Sequence, residues 1–284
     1  MGNKPGHIVL VGDVNSTVAC SLVASKLLIP ITHVEAGLRS FDWTMPEEVN
    51  RLVTDRLSNL FLIHSPEARD NLLKEGVKDE LIIDTGNVMI DAQKKLIPKA
   101  NESTVLADNN LEKGEFAFCT LHRPANVDTK EKLEEVIKII EYISSKTKLI
   151  LPLHPRTKNS LENHGLLNTL EAMENVSLIK PVGYIDCLAF VKNSKFVATD
   201  SGGLQEETTA LGVPCLTLRE NTERPVTITH GSNQLVGLDF NLIKSGVDSI
   251  LNGSFVSKGC PELWDGNAGR RCVDALIAFK KPSY

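Results

Sequence analysis

The stretch HIVLVGDVNSTVACSLVASKLLIPITHVEAGL, residues 7–38, decides the fold class. An apolar run from His7 to Val11 stops at Gly12-Asp13, a segment of helical period follows from Ser16 to about Leu27, and a second apolar run fills Ile31 to Val34. Strand, turn, helix and strand in this order form the unit of a parallel sheet covered by helices. The pattern continues outward from there. After a loop from Ala36 to Met45, Pro46 can start a helix as its first residue, with Glu47 and Glu48 favourably placed near its positive end. Leu60 to Ile63 and Leu81 to Ile83 read as further strands, each followed by a helix, the last from Val88 to Leu96.

Between about Pro98 and Glu115 the pattern gives way to polar residues, the natural place for a domain linker. It then restarts, with strands at Phe116 to Thr120, Lys148 to Leu153, Val176 to Ile179, Phe196 to Ala198 and Cys215 to Leu218, a long helix from about Lys130 to Ser145, and a closing helix from about Ala268 to Phe279. The expected architecture is α/β with two Rossmann-like domains: residues 1–97, residues 113–265, and a C-terminal helix and tail over 266–284. Ligands of such sheets bind outside the strand ends, so a cleft between the two domains is expected to hold the site. The first domain shows about four strands and enters its first one almost at once, as though clipped at its N-terminus.

Composition narrows the function. The 284 residues are 42% hydrophobic and 24% charged, with 31 basic against 36 acidic side chains and a net charge of -5. This balance speaks against a general nucleic-acid or anionic-membrane surface, and leaves room for a local basic pocket. No apolar run reaches roughly 18 residues and no leader pattern opens the chain, so a cytoplasmic protein is expected. The six cysteines form no CxxC pair and read as small buried residues. No two histidines stand at metal-ligand spacing, and no metal is expected.

Polar groups gather at the strand ends. Asp13 ends the first strand, Glu35 the second in HVEAGLR, and Glu47 follows in PEEVNR. Carboxylates at the same ends of neighbouring parallel strands converge, and grouping separates their pKa values into acid and base. Asp13 could equally cap the following helix, and Glu47 could simply suit a helix start. Glu35, between Val34 and Ala36, needs a partner, for which Arg39 and Arg51 are the candidates. In the second domain TDSGGLQEE, residues 199–207, joins a strand end to a helix through two glycines, a phosphate-binding geometry that a tight turn also explains. Glu207 could accept hydrogen bonds from ribose hydroxyls. His122-Arg123 and His154, each directly after a strand, stand near Arg123 and Arg156 in sequence and favour an anion pocket. RENTERP, residues 219–225, is either part of a pocket or a self-paired loop.

Together, VGDVNST (11–17), HVEAGLRS (33–40), PEEVNR (46–51), TGN-x-x-ID (85–91), LHR-x-x-N (121–126), TDSGG-x-QEE (199–207), TERP (222–225) and G-x-N-x-LVG (231–237) resemble the non-hydrolysing UDP-N-acetylglucosamine 2-epimerases, in that family's order and over nearly the whole chain. The resemblance implies two Rossmann-like domains in a GT-B arrangement, the first N-terminally truncated. It implies interconversion of UDP-GlcNAc and UDP-ManNAc, or a close derivative, without NAD or a metal, by anti elimination of UDP through 2-acetamidoglucal and re-addition. By motif, Asp13, Glu35 and Glu47 become the catalytic carboxylates, with acid and base roles unassigned; His122 contacts the diphosphate or assists its departure, and Arg51 supports the carboxylates. Ser201, Gly202, Gly203 and Glu207 hold the phosphates and ribose, and Arg219, Glu223 and Arg224 complete the pocket. Arg123 and His154 are counted with the substrate-binding residues, no cofactor is required, and a homodimer is expected.

Three departures from the family pattern stand out. Ala125 replaces the usual Glu of HR-x-EN, and Val226 follows TERP where Glu is frequent. The glycine-rich loop and further strand-helix units with which family members begin are not in the sequence. A UDP-sugar-binding remnant, or a subunit that needs a complementary fragment, is therefore the alternative to an epimerase. A GT-B glycosyltransferase and a hydrolysing epimerase are weaker readings, since a transferase has no need of the HVEAGLR and PEE-x-NR carboxylates.

Overall fold

The computed structural model describes residues 5–280. The chain divides into two compact units, one of Met1–Ala92, Glu223–Val226 and Pro261–Tyr284, the other of Gln93–Thr222 and Thr227–Cys260.

The first unit is built on a parallel sheet of four strands in sequential order: β1 (Ile8–Val11), β2 (Ile31–Val34), β3 (Leu60–Ile63) and β4 (Ile82–Asp84). β2 and β3 are buried along their whole length, as their unalternating sequences ITHV and LFLI require of strands covered on both faces. β1 is an edge: Leu10 points inward while Val9 and Val11 are exposed. Because the strands are parallel, Gly12-Asp13, Glu35, His64 and Thr85 all leave the sheet at the same end. The helix Ala268–Ala278 belongs to this unit, where the Asp91 carboxylate accepts from the amides of Ala268 (3.0 Å) and Gly269 (2.7 Å) at its N-terminus. A capping carboxylate there satisfies free N–H groups and complements the helix dipole. Just before it, the Trp264 indole is buried and donates to the His64 carbonyl at 3.0 Å.

The second unit holds a six-stranded parallel sheet: β5 (Phe116–Thr120), β6 (Lys148–Pro152), β7 (Val176–Ile179), β8 (Phe196–Thr199), β9 (Cys215–Thr217) and β10 (Asn233–Leu235), in spatial order β10-β9-β8-β5-β6-β7. The helix Lys130–Ser144 packs on it with Leu133, Val136, Ile137, Ile140 and Ile143, the spacing of one helical face; each such side chain fully buried contributes about 1.5–3 kcal/mol. Thr129 caps this helix, its side chain accepting from the Lys132 amide at 3.3 Å. The order of the strands reverses at β5, with later strands added first on one side and then on the other. The crevice for ligands therefore opens at the C-terminal ends of β5 and β8.

Three local differences from the sequence reading have physical causes. The polar stretch after Pro98 is partly helical: Val88–Asn101 runs on through Pro98, and Ala100 is buried against Leu188 and Ala189. β10 escaped notice because NQL carries a single apolar residue. Cys20 and Cys260 are exposed, unlike the buried Cys119, Cys215 and Cys272. Among the described residues no helix is long and apolar enough to cross a membrane.

Candidate functional site

In the first unit two of the candidate carboxylates, Asp13 and Glu35, stand at strand exits on a charged framework. Glu35 follows β2 directly, half-buried, with φ at +67°. A non-glycine residue in this left-handed region costs roughly 1–2 kcal/mol, and such strain persists only where the surroundings hold it. Those surroundings are charged. His33 is wholly buried; its Nε2 lies 2.9 Å from the Gly12 carbonyl and its Nδ1 2.6 Å from the Asp55 carboxylate. Asp55 also accepts from the Gly37 amide at 3.0 Å and pairs with Arg39 at 2.7 Å, and Arg39 continues to Glu75 at 2.6 Å. Burial works against every charge here, yet the Asp55 charge and hydrogen bond push the His33 pKa up, and His33 and Arg39 hold Asp55 below the usual carboxylate range.

Asp13 belongs to a second cluster. The buried Arg51 reaches Asp13 at 2.5 Å and Glu48 at 2.6 Å. Glu48 is itself buried, and although desolvation opposes its charge, the amides of Ser40 and Phe41 (2.9 Å each) and Arg51 keep its carboxyl below the ordinary value. Asn50 fastens the same turn, donating to the Asp13 carbonyl at 2.9 Å. Glu47 sits in the first turn of Pro46–Leu57, half-buried, and its carboxylate takes no part in these ion pairs. Arg39 thus meets Asp55 and Glu75, and Arg51 meets Asp13 and Glu48; of these acids, Asp55 and Glu75 were not singled out in the sequence.

The second unit gathers its polar groups at the crevice. Thr120 and Thr199 end β5 and β8 side by side, and their hydroxyls meet at 2.6 Å. Asp200, the next residue, is fully buried and accepts from the amides of His122 (3.0 Å) and Arg123 (2.9 Å), from Asn126 Nδ2 at 3.2 Å and from His122 Nδ1 at 2.9 Å. Burial raises and these donors lower its pKa, and the donors prevail. The contact of Nδ1 with Asp200 fixes the orientation of the half-exposed His122 ring. Arg123 is pinned by its Nε to the Asp200 carbonyl at 2.9 Å. The His154 ring lies 5.5 Å from that of His122 and caps Pro155–Asn163 by accepting from the Arg156 amide at 3.2 Å. Burial, helped by His122, lowers its pKa and suits this acceptor role. Arg156 itself is bound to Asp128 at the exposed surface (2.7 Å) and does not join the group.

Ser201 precedes the helix Gly202–Leu211, which starts at the first glycine of the pair, so Gly202 and Gly203 form the first turn and direct its amides outward. Glu207 lies one turn further in, buried, accepting from the Tyr184 hydroxyl at 2.9 Å through Oε1, while Oε2 has no partner among the described protein groups. Arg219 is buried in the second unit, and Thr222 ties the following loop to Gln205 at 2.7 Å. Glu223 and Arg224 fall in the first unit, where they form an ion pair. Among the described residues no group of three His, Cys, Asp or Glu is arranged to hold a metal ion. Asp200, Asp55 and Tyr184 were not read from the sequence, and Glu48 was read only as an acid suited to a helix start. For Asp200 a signal existed, since it is a carboxylate at the end of an apolar strand, as Glu35 is.

Parallel sheets with charged residues collected at their strand ends define an α/β protein whose candidate site lies at those ends. Comparison with known proteins narrows the class. Residues 1–277 match the family model of UDP-N-acetylglucosamine 2-epimerase, and the chain belongs to that family of epimerases. It is 43% identical to a UDP-N-acetylglucosamine 2-epimerase of Methanococcus maripaludis over 98% of this chain and 77% of the relative. It is 38% identical to a UDP-2,3-diacetamido-2,3-dideoxy-D-glucuronate 2-epimerase of Pseudomonas aeruginosa, over 97% of this chain and 75% of the relative. Among solved structures, the Methanocaldococcus jannaschii UDP-GlcNAc 2-epimerase in complex with UDP-GlcNAc and UDP superposes with a TM-score of 0.87 at 39% identity, covering 97% of this chain and 76% of the other.

Proposed function

We propose that this chain catalyses the reversible C2 epimerisation of UDP-GlcNAc to UDP-ManNAc. A carboxylate takes the proton from sugar C2 as the C1–O bond to UDP breaks; its electron pair leaves on the diphosphate oxygen and a C1–C2 double bond forms, giving 2-acetamidoglucal. A second acid returns a proton to the other face of C2, and UDP adds back to C1. Such a sequence needs acid and base groups on opposite faces and stabilisation of the departing diphosphate. Asp13, Glu35 and Glu47 supply the carboxylates, with Arg51 holding Asp13. His122, oriented by Asp200, meets the diphosphate with Arg123, His154 and the amides of Ser201, Gly202 and Gly203. Glu207 accepts the ribose hydroxyls, for which its open Oε2 is suited, and Arg219, Glu223 and Arg224 complete the binding groups.

The observation that carries the reading is the strained, half-buried Glu35 at a strand exit beside the Arg51-held Asp13 turn, in a chain that belongs to the epimerase family. Incubation with UDP-GlcNAc in deuterated water is expected to place deuterium at C2, read by NMR or mass. A folded sample that binds UDP without exchange would make the chain a UDP-sugar-binding remnant. The Pseudomonas aeruginosa relative supports a second substrate choice, a 2,3-diacetamido uronate. The same exchange run with that UDP-sugar in competition decides between the two.

A further inference from the structure

We propose that the buried His33–Asp55 pair is a positioning unit for Asp13 and Glu35: it fastens the turn that carries each carboxylate and places a fixed positive charge behind Glu35. Its functional meaning rests on the epimerase reading. The Gly12 carbonyl can only accept, so His33 Nε2, at 2.9 Å, carries a hydrogen. Asp55 already accepts from the Gly37 amide (3.0 Å) and pairs with Arg39 (2.7 Å), so it is ionised, and His33 Nδ1, at 2.6 Å, donates to it as well. The ring is therefore an imidazolium, wholly buried within β2.

The connectivity gives this pair its leverage. Gly12 immediately precedes Asp13, and Gly37 lies two residues beyond Glu35, so one ring and one carboxylate brace both turns against the helix Pro46–Leu57. Glu35 holds φ at +67°, a conformation that relaxes unless the flanking chain is fixed on both sides. Facing His33 are Asp55 from the helix and Glu35 from the end of its own strand, and Glu35 also acts electrostatically on His64 at the end of β3. Arg39 is balanced by both Asp55 and Glu75, so neutralising His33 leaves a negative imbalance beneath the site.

The test combines a measurement on the unaltered protein with two variants, His33→Gln and Asp55→Asn. Side-chain nitrogen NMR of the wild type at about pH 8 is expected to show both His33 ring nitrogens protonated, where a free histidine is neutral; a neutral ring would overturn the proposal. In folded His33→Gln, C2 exchange at saturating UDP-GlcNAc is expected to fall at least about 100-fold, the scale of a misplaced catalytic group. UDP affinity, by calorimetry, is expected to stay unchanged. Unaltered exchange, or a parallel loss of UDP binding, would overturn it. Asp55→Asn is expected to reproduce the same split. A wild type without exchange would remove the epimerase reading alone. The brace is then decided by carboxyl-carbon NMR of Glu35, whose titration is expected at higher pH in His33→Gln than in wild type, and an unmoved titration would sink it.

Discussion

Glu207 carries its carboxylate into the interior of the second unit, and burial, with Glu206 adding and the Tyr184 hydroxyl opposing, pushes its pKa up to about 7 from 4.5. Between those values the folded chain keeps a proton that the unfolded chain has lost, so stability falls as pH rises from 4.5 to about 7. Glu207→Gln is expected to flatten that part of the profile, by up to about 1.4 kcal/mol per pH unit. Urea unfolding of both proteins at pH values across this window measures the slopes, and parallel profiles would refute the assignment. At this scale the sequence revealed which polar groups follow the strand ends, Asp13, Glu35 and His122, because an unbroken apolar run stops just before each. The partners stayed hidden for a reason of distance. His33 and Asp55 are 22 residues apart and His122 and Asp200 are 78 apart, so only the folded sheet brings them together.

Elements of regular period were the most legible part: β2, β3 and β5 occupy the expected runs, since fully buried strands leave unbroken apolar segments. Short or polar pieces such as β10 owe their conformation to neighbours and left no such trace. The docking of Ala268–Ala278 is likewise tertiary, and Gly86 shows how tight it is. Its φ is +75°, and a methyl group there would come within 2.1 Å of the Leu263 carbonyl oxygen. Gly76 has a similar φ, +86°, but open space around it. Gly76→Ala is therefore expected to cost about 1 kcal/mol from the backbone alone, and Gly86→Ala about 3 kcal/mol or more because backbone must also move. Equilibrium unfolding of the two variants compares them; equal losses would mean that the contact with Leu263 is loose.

For the whole molecule, the open side of β1 matters. Val9 and Val11 on the strand and Leu22, Val23, Leu27 and Leu28 on and after the next helix are all exposed, beside a strand that pairs on one side only among the described residues. Apolar surface next to a free edge promotes association between copies. The chain is expected to self-associate as its concentration rises, and Val9→Lys to reduce this, read by sedimentation velocity; a monodisperse monomer at all concentrations would contradict it. The path of the chain has another consequence. It passes from the first unit to the second after Ala92, returns for Glu223–Val226, leaves again, and comes back at Pro261. A single genetic crossover between two such genes, wherever it falls, would thus leave the first unit with pieces from two parents. Recombination can exchange these units intact only through several simultaneous breakpoints.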